Sequence, residues 1–176
     1  MLIALISFAL AYEEPPITVN NPTLTTQDLG QQYFSDENQA VQAIVSNFPV
    51  DGNAAWNFIN KLKYASRAKT SFFKFEMGVN TDQTWRNALM KVALVSGRRE
   101  NGAYVLRSII VNTNTAVNAY YVEVHKKKKR FMGIKVGSKT RVENKWRPLK
   151  SHELQQVYSA LQTASAGTVS SIASQI

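Results

Sequence analysis

The chain has 176 residues, 21 Lys and Arg against 12 Asp and Glu, two His and no Cys. Its length predicts one domain with a buried core, and an apolar fraction of 44% with 10% aromatics excludes low-hydrophobicity disorder for its body. Without Cys, disulfide scaffolds, Cys-ligated zinc, iron–sulfur clusters and thiol nucleophiles are excluded, and two distant His argue against an all-His site, so neither metal nor cofactor is expected.

The net charge of +9 is unevenly spread. Residues 12–60 carry six acids and no base, whereas residues 61–95 carry seven bases and two acids. Residues 96–150 carry fourteen bases and three acids, a local +11. A molecule with a positive and a negative pole draws an anionic partner to one side.

In chain order, residues 2–11 form an uncharged apolar run, too short for a bilayer-spanning helix, which takes ~20 residues. The run ends in Ala9-Leu10-Ala11, a small-x-small pattern suited to cleavage before Tyr12. Residues 1–11 therefore read as a signal peptide, which makes the expected location periplasmic or secreted. Residues 12–27, rich in Pro, Thr and Asn, read as an extended linker.

Apolar periodicity then predicts two helices, a strand and a third helix. Ser35 caps a helix to about Phe48, with Val41, Ile44, Val45 and Phe48 at i, i+3, i+4 and i+7. Pro49-Val50-Asp51-Gly52 breaks it, and Asn53 caps a second helix whose inward stripe is Ala55, Phe58, Ile59 and Leu62. Over 71–79 the period is two, placing Phe73, Phe75, Met77 and Val79 on one strand face. Thr81 caps a third helix, with Trp85, Leu89 and Val92 inward and Gly97 at its end.

From Arg98 the period is again two. Tyr104 to Val111, Val117 to His125, Arg130 to Val136 and Lys139 to Arg147 read as four strands, joined at Asn112-Thr113-Asn114, at the lysine run and at Gly137-Ser138. Connections this short require antiparallel neighbours. Pro148 stops the last strand, and Ser151 caps a closing helix with Leu154, Val157, Tyr158 and Leu161 on one stripe. The expected organisation is a single α+β domain over 28–163 followed by a flexible tail over 164–176.

Helices first, then an antiparallel meander and a last helix: over residues 28–147 this order resembles the curved cone of the nuclear-transport-factor-like superfamily. In that superfamily helices cover the concave face of a bent sheet, and its members include periplasmic domains of assembly factors in bacterial type IV secretion channels. The resemblance implies an α+β fold with N-terminal helices packed on a curved antiparallel sheet. It implies no activity, because fold does not fix function.

The strongest local feature is Lys139-Thr-Arg-Val-Glu-Asn-Lys-Trp-Arg147, preceded by His125-Lys-Lys-Lys-Lys-Arg130. In a strand, Lys139, Arg141, Lys145 and Arg147 share one face at 6–7 Å spacing, roughly, while Val142 and Trp146 face the core. With Lys126, Lys127, Lys128, Lys129 and Arg130 in or beside a hairpin loop, these residues form a basic ridge. Its expected partner is an anionic polymer, a lipid surface or an acidic protein, and homo- or hetero-oligomers are compatible with the charge split. The bland reading of the same residues is a solvated edge that discourages aggregation.

One catalytic constellation can be built. Tyr121, Glu123 and His125 alternate onto one strand face, where Glu123 would act as base, His125 as acid, and Arg107 or Arg147 would steady a phosphorane. That is the chemistry of a secreted metal-independent ribonuclease. Against it stands the ordinary reading of a solvent-facing strand end with Glu123 paired to a lysine across the strand. The sequence favours an exported, non-enzymatic binding or assembly module, a component of an envelope or secretion apparatus.

Overall fold

The computed structural model describes residues 16–48, 50–79, 86–146 and 148–176, with Val79 and much of 120–146 as backbone. Residues 1–11, Thr81, Trp85 and Arg147, on which the signal, the third-helix cap and the last ridge position were placed, lie outside the described residues.

The elements are β1 (Thr18–Val19), β2 (Thr23–Phe34), α1 (Glu37–Asn47), α2 (Gly52–Tyr64), β3 (Arg67–Val79), β4 (Arg86–Glu100), β5 (Ala103–Asn118), β6 (Tyr120–Phe131), β7 (Ile134–Trp146) and α3 (Ser151–Gln175). The fold is α+β: a curled antiparallel sheet with three helices among the described residues, the last at the C-terminal end. In the five-stranded sheet, β5 pairs with β4, which pairs with β3, and on its other side β5 pairs with β1 and β2. The stretch expected to be a linker therefore already contributes strands. β2 carries a bulge between Asp28 and Gln31, where Gly30 sits at φ 67° and donates its N–H to Asp28 Oδ1 at 2.8 Å. Only glycine adopts that φ without strain, and such a bulge bends a strand and sharpens its twist.

Aspartates cap the first two helices, Asp36 one residue after the expected Ser35 and Asp51 two residues before the expected Asn53. Asp36 Oδ1 accepts from the Asn38 N–H at 2.7 Å, and Asp51 Oδ1 from the Ala54 N–H at 2.8 Å. The stripes run as the periodicity predicts: Val41, Ile44, Phe48, Ala55, Phe58, Ile59 and Leu62 are buried, and Val45 is half-buried. They pack on Phe72, Ala93, Val95, Tyr104, Leu106 and Ile110 of the sheet. Phe72 lies between Phe48 and Phe58, with ring centroids 6.3 and 6.4 Å away.

The opposite parity of the same strands, Ala88, Met90, Val92, Leu94 and Val117, packs on Val157 and Leu161 of α3. Tyr158 is wedged edge-on between Phe73 and Phe75, 5.6 Å from each. Leu154, expected in this stripe, is instead 37% exposed. The expected fraying tail is helical to Gln175, because Val169, Ile172 and Ile176 continue the apolar stripe past Gly167. Lys69 Nζ also donates to the Ala173 carbonyl at 3.3 Å, a cation at the negative end of the helix dipole.

The largest departure is β4, expected as a helix. It lies between α1–α2 on one face and α3 on the other, so its run from Met90 to Val95 is apolar on both faces. Such a run looks the same in a buried helix and a buried strand. Gly97 does not end a helix. It lies where α2 crosses β4: a methyl there would fall 2.7 Å from Leu62 Cδ1, 3.0 Å from Leu106 Cδ2 and 3.2 Å from Phe58 Cζ.

The four strands expected after Tyr104 are three. Asn112-Thr113-Asn114 continues through β5, with Thr113 fully buried, because that segment is paired on both sides, to β4 and to β2. The lysine run continues through β6, and Gly137-Ser138 lies inside β7.

Candidate anion-binding hairpin

β6 and β7 form a separate two-stranded ribbon, with no ladder to the five-stranded sheet among the described residues. Residues 120–146 carry nine bases and two acids, a net +7. The register places Tyr121 opposite Lys145, Glu123 opposite Glu143, His125 opposite Arg141 and Lys127 opposite Lys139. Residues opposite one another in an antiparallel pair share a face, so the expected row Lys139, Arg141 and Lys145 is joined across the ribbon by Lys127 and His125. Lys126 and Lys128 fall at the other parity, opposite Thr140 and Ser138. The run Lys126 to Arg130, expected in or beside a hairpin loop, lies beside one: it continues the strand up to the turn at Met132-Gly133 and divides its residues between the two faces.

Val142, expected to face the core, is 59% exposed, and its register partner Val124 is 54% exposed. Among the described residues neither valine belongs to a core cluster. At its end Met132 and Gly133 turn the chain with φ 50° and 81°, the two positive values of a type I′ turn. Around that turn Phe131, Met132 and Ile134 are 67%, 87% and 71% exposed. Sequence reasoning missed these three as a surface feature. The available signal was a Phe-Met-Gly-Ile turn set directly against a cationic run.

Of the catalytic constellation, Tyr121, Glu123 and His125 keep one parity of β6. Arg107 belongs to β5 in the other sheet, where its Nη2 lies 3.2 Å from Asp28 Oδ2. Glu123 stands opposite Glu143 rather than a lysine. Arg107 instead lines a cleft of about 180 Å³ with Arg67, Arg98 and Gln31, and there Arg98 is itself paired with Glu100 at 3.0 Å.

A titratable cluster lies where α1 and α2 meet β5. Glu37 Oε2 is 2.9 Å from Lys63 Nζ, the Tyr104 hydroxyl donates to Glu37 Oε1 at 3.1 Å, and Arg99 lies 5.3 Å over the Tyr104 ring. Glu37 occupies the first turn of α1 and Lys63 the last turn of α2, each complementing its helix dipole. The Lys63 hydrogen bond holds the Glu37 carboxyl below its ordinary range, and the same bond raises Lys63. Burial, then the bond to Glu37, raises Tyr104. A carboxyl lowered on folding stabilises above its unfolded pKa and loses that contribution as pH falls through its folded pKa. Glu37→Gln is therefore expected to be less stable than wild type at pH 7, with the gap closing below about pH 4, the ordinary glutamate range. Thermal melts across that range check this, and a gap that is constant with pH would contradict it.

Among the described residues no group of three His, Asp or Glu is placed to hold a metal ion, and no helix is long and apolar enough to cross a membrane. The chain matches no protein-family model, and no curated protein matches it in sequence.

Proposed function

We propose that this protein is a non-enzymatic binding module whose β6–β7 hairpin engages an anionic partner. The reading extends to an exported component of an envelope or secretion apparatus, in line with the apolar run at residues 2–11. The observation that carries it is the concentration of a net +7 on one ribbon that pairs with no other strand among the described residues. Edge protection requires only a few lysines. Eight bases and no acid between Val124 and Val142 make a continuous cationic arm.

The test is retention on heparin at low salt, together with incubation of the pure protein with RNA in EDTA. The expected result is binding with the nucleic acid left intact. Cofactor-independent cleavage that disappears in Glu123→Ala or His125→Ala would replace the binding module with a ribonuclease. Export is checked by intact mass from cell fractions, where a cytoplasmic species that retains Leu2 would count against it.

A further inference from the structure

Two hairpin turns of this chain have the same backbone and different chemistry. Between β4 and β5, Asn101 and Gly102 adopt φ 52° and 80°; between β6 and β7, Met132 and Gly133 adopt φ 50° and 81°. Asn-Gly is what a type I′ turn selects, because Asn and Gly tolerate the left-handed region. Met has neither the small size nor the local hydrogen bonding that relieves it there. It is 87% exposed, so packing among the described residues does not compensate. A residue held at an unfavourable backbone position without internal reward points to a use outside the molecule.

What surrounds Met132 indicates that use. Phe131 and Ile134 stand opposite one another directly behind it, both mostly exposed, so the apex is an apolar cap. The next register pair is Arg130 opposite Lys135, about 3.3 Å further back. Lys126 to Lys129 on β6 and Lys139 and Arg141 on β7 follow. We infer that the hairpin docks end-on into an anionic phospholipid bilayer, with Phe131, Met132 and Ile134 entering the interface and the cations behind them meeting headgroup phosphates. The inference rests on the anionic-partner reading and narrows it to a membrane surface. Interfacial segments sink ~5–10 Å, a depth of two to three residue steps along a strand. That brings Arg130 and Lys135 to the phosphates while the apex reaches the acyl boundary.

A nucleic acid fits the arrangement less well. Single-strand binders interleave aromatic side chains with cations so that bases can stack. Here Tyr120, Tyr121 and Trp146 lie at the far end of the ribbon, roughly 30 Å from the apex. The cationic part in between carries no Phe, Tyr or Trp.

The experiment compares co-sedimentation with vesicles of phosphatidylcholine and phosphatidylglycerol in about equal parts with elution from heparin. Met132→Asn reproduces the Asn-Gly turn already present at Asn101-Gly102, so the hairpin keeps its geometry and loses its apolar apex. Vesicle binding is expected to fall ~10-fold or more in Met132→Asn, and further with Phe131→Ser added, while the heparin elution position stays unchanged. Vesicle binding by Met132→Asn equal to wild type would overturn the inference. So would a wild-type protein that binds heparin or duplex DNA but not the vesicles, an outcome that leaves the anionic-partner reading standing. A protein that binds neither heparin nor vesicles would remove that reading, and the inference with it.

Discussion

Leu62→Ala is expected to cost about 2–5 kcal/mol of unfolding free energy, and to cost less when Gly97 is Ala. Leu62 and Phe58 of α2 rest on β4 so closely that a methyl at Gly97 would stand 2.7 Å from Leu62 Cδ1. Gly97→Ala alone overpacks a site enclosed by Leu62, Leu106 and Phe58, with an expected loss of about 1–3 kcal/mol. In the double variant the new methyl occupies part of the cavity left by Leu62, so the two losses do not add. A coupling of about 0.5–3 kcal/mol is expected from a denaturant cycle of the four proteins. Losses that add within about 0.5 kcal/mol would mean that α2 does not lie on the backbone of β4 at Gly97.

Reversing Lys139, Arg141 and Lys145 to Glu is expected to weaken polyanion binding by about a hundredfold at low salt, because three attractions become repulsions. On a duplex DNA probe, each cation that engages a phosphate contributes ~0.9 to the slope of log affinity against log salt. The variant should therefore show a slope shallower by roughly 3 than wild type. Its melting temperature is expected to stay close to that of wild type, the behaviour of surface charges; a large drop would mean that the row is buried or paired. Reversing Lys61 and Lys63 on α2 should leave binding unchanged, although the Lys63 change breaks the pair with Glu37. If the ridge reversals change neither the slope nor the affinity, the hairpin is a solubilising edge and not a binding surface.

Amphipathic period carries the elements that were legible. The stripes of α1 and α2 stand out because each buries one side only; on β3 the expected alternation Phe73, Phe75, Met77 faces α3, while Phe72 of the opposite parity is buried against α1 and α2. Where burial is two-sided that signal disappears, as between Met90 and Val95, and helix and strand become indistinguishable. Where burial is slight it also fails. β2 is mostly exposed, and its polar TLTTQDLGQQ run gives no sign that β5 will pair with it.

The candidate site divides along the same line. Composition alone determined that positive charge is concentrated over 126–147, since charge is counted without knowing the fold. Which cations share a face depends on cross-strand register, and register follows from where the chain turns. Gly137-Ser138 and the lysine run offered plausible turns by residue type; pairing from Tyr120–Trp146 to Phe131–Ile134 put the turn at Met132-Gly133 instead. That placement exposes three apolar side chains at an apex, a property that only the tertiary arrangement decides. The sequence by itself determined the charge, the one-sided helix stripes and the lack of thiol chemistry, because these are properties of residues and their spacing. The strand identity of β4, the reach of α3 to Gln175 and the apolar tip were decided by the fold, because each depends on what a distant segment packs against or leaves uncovered.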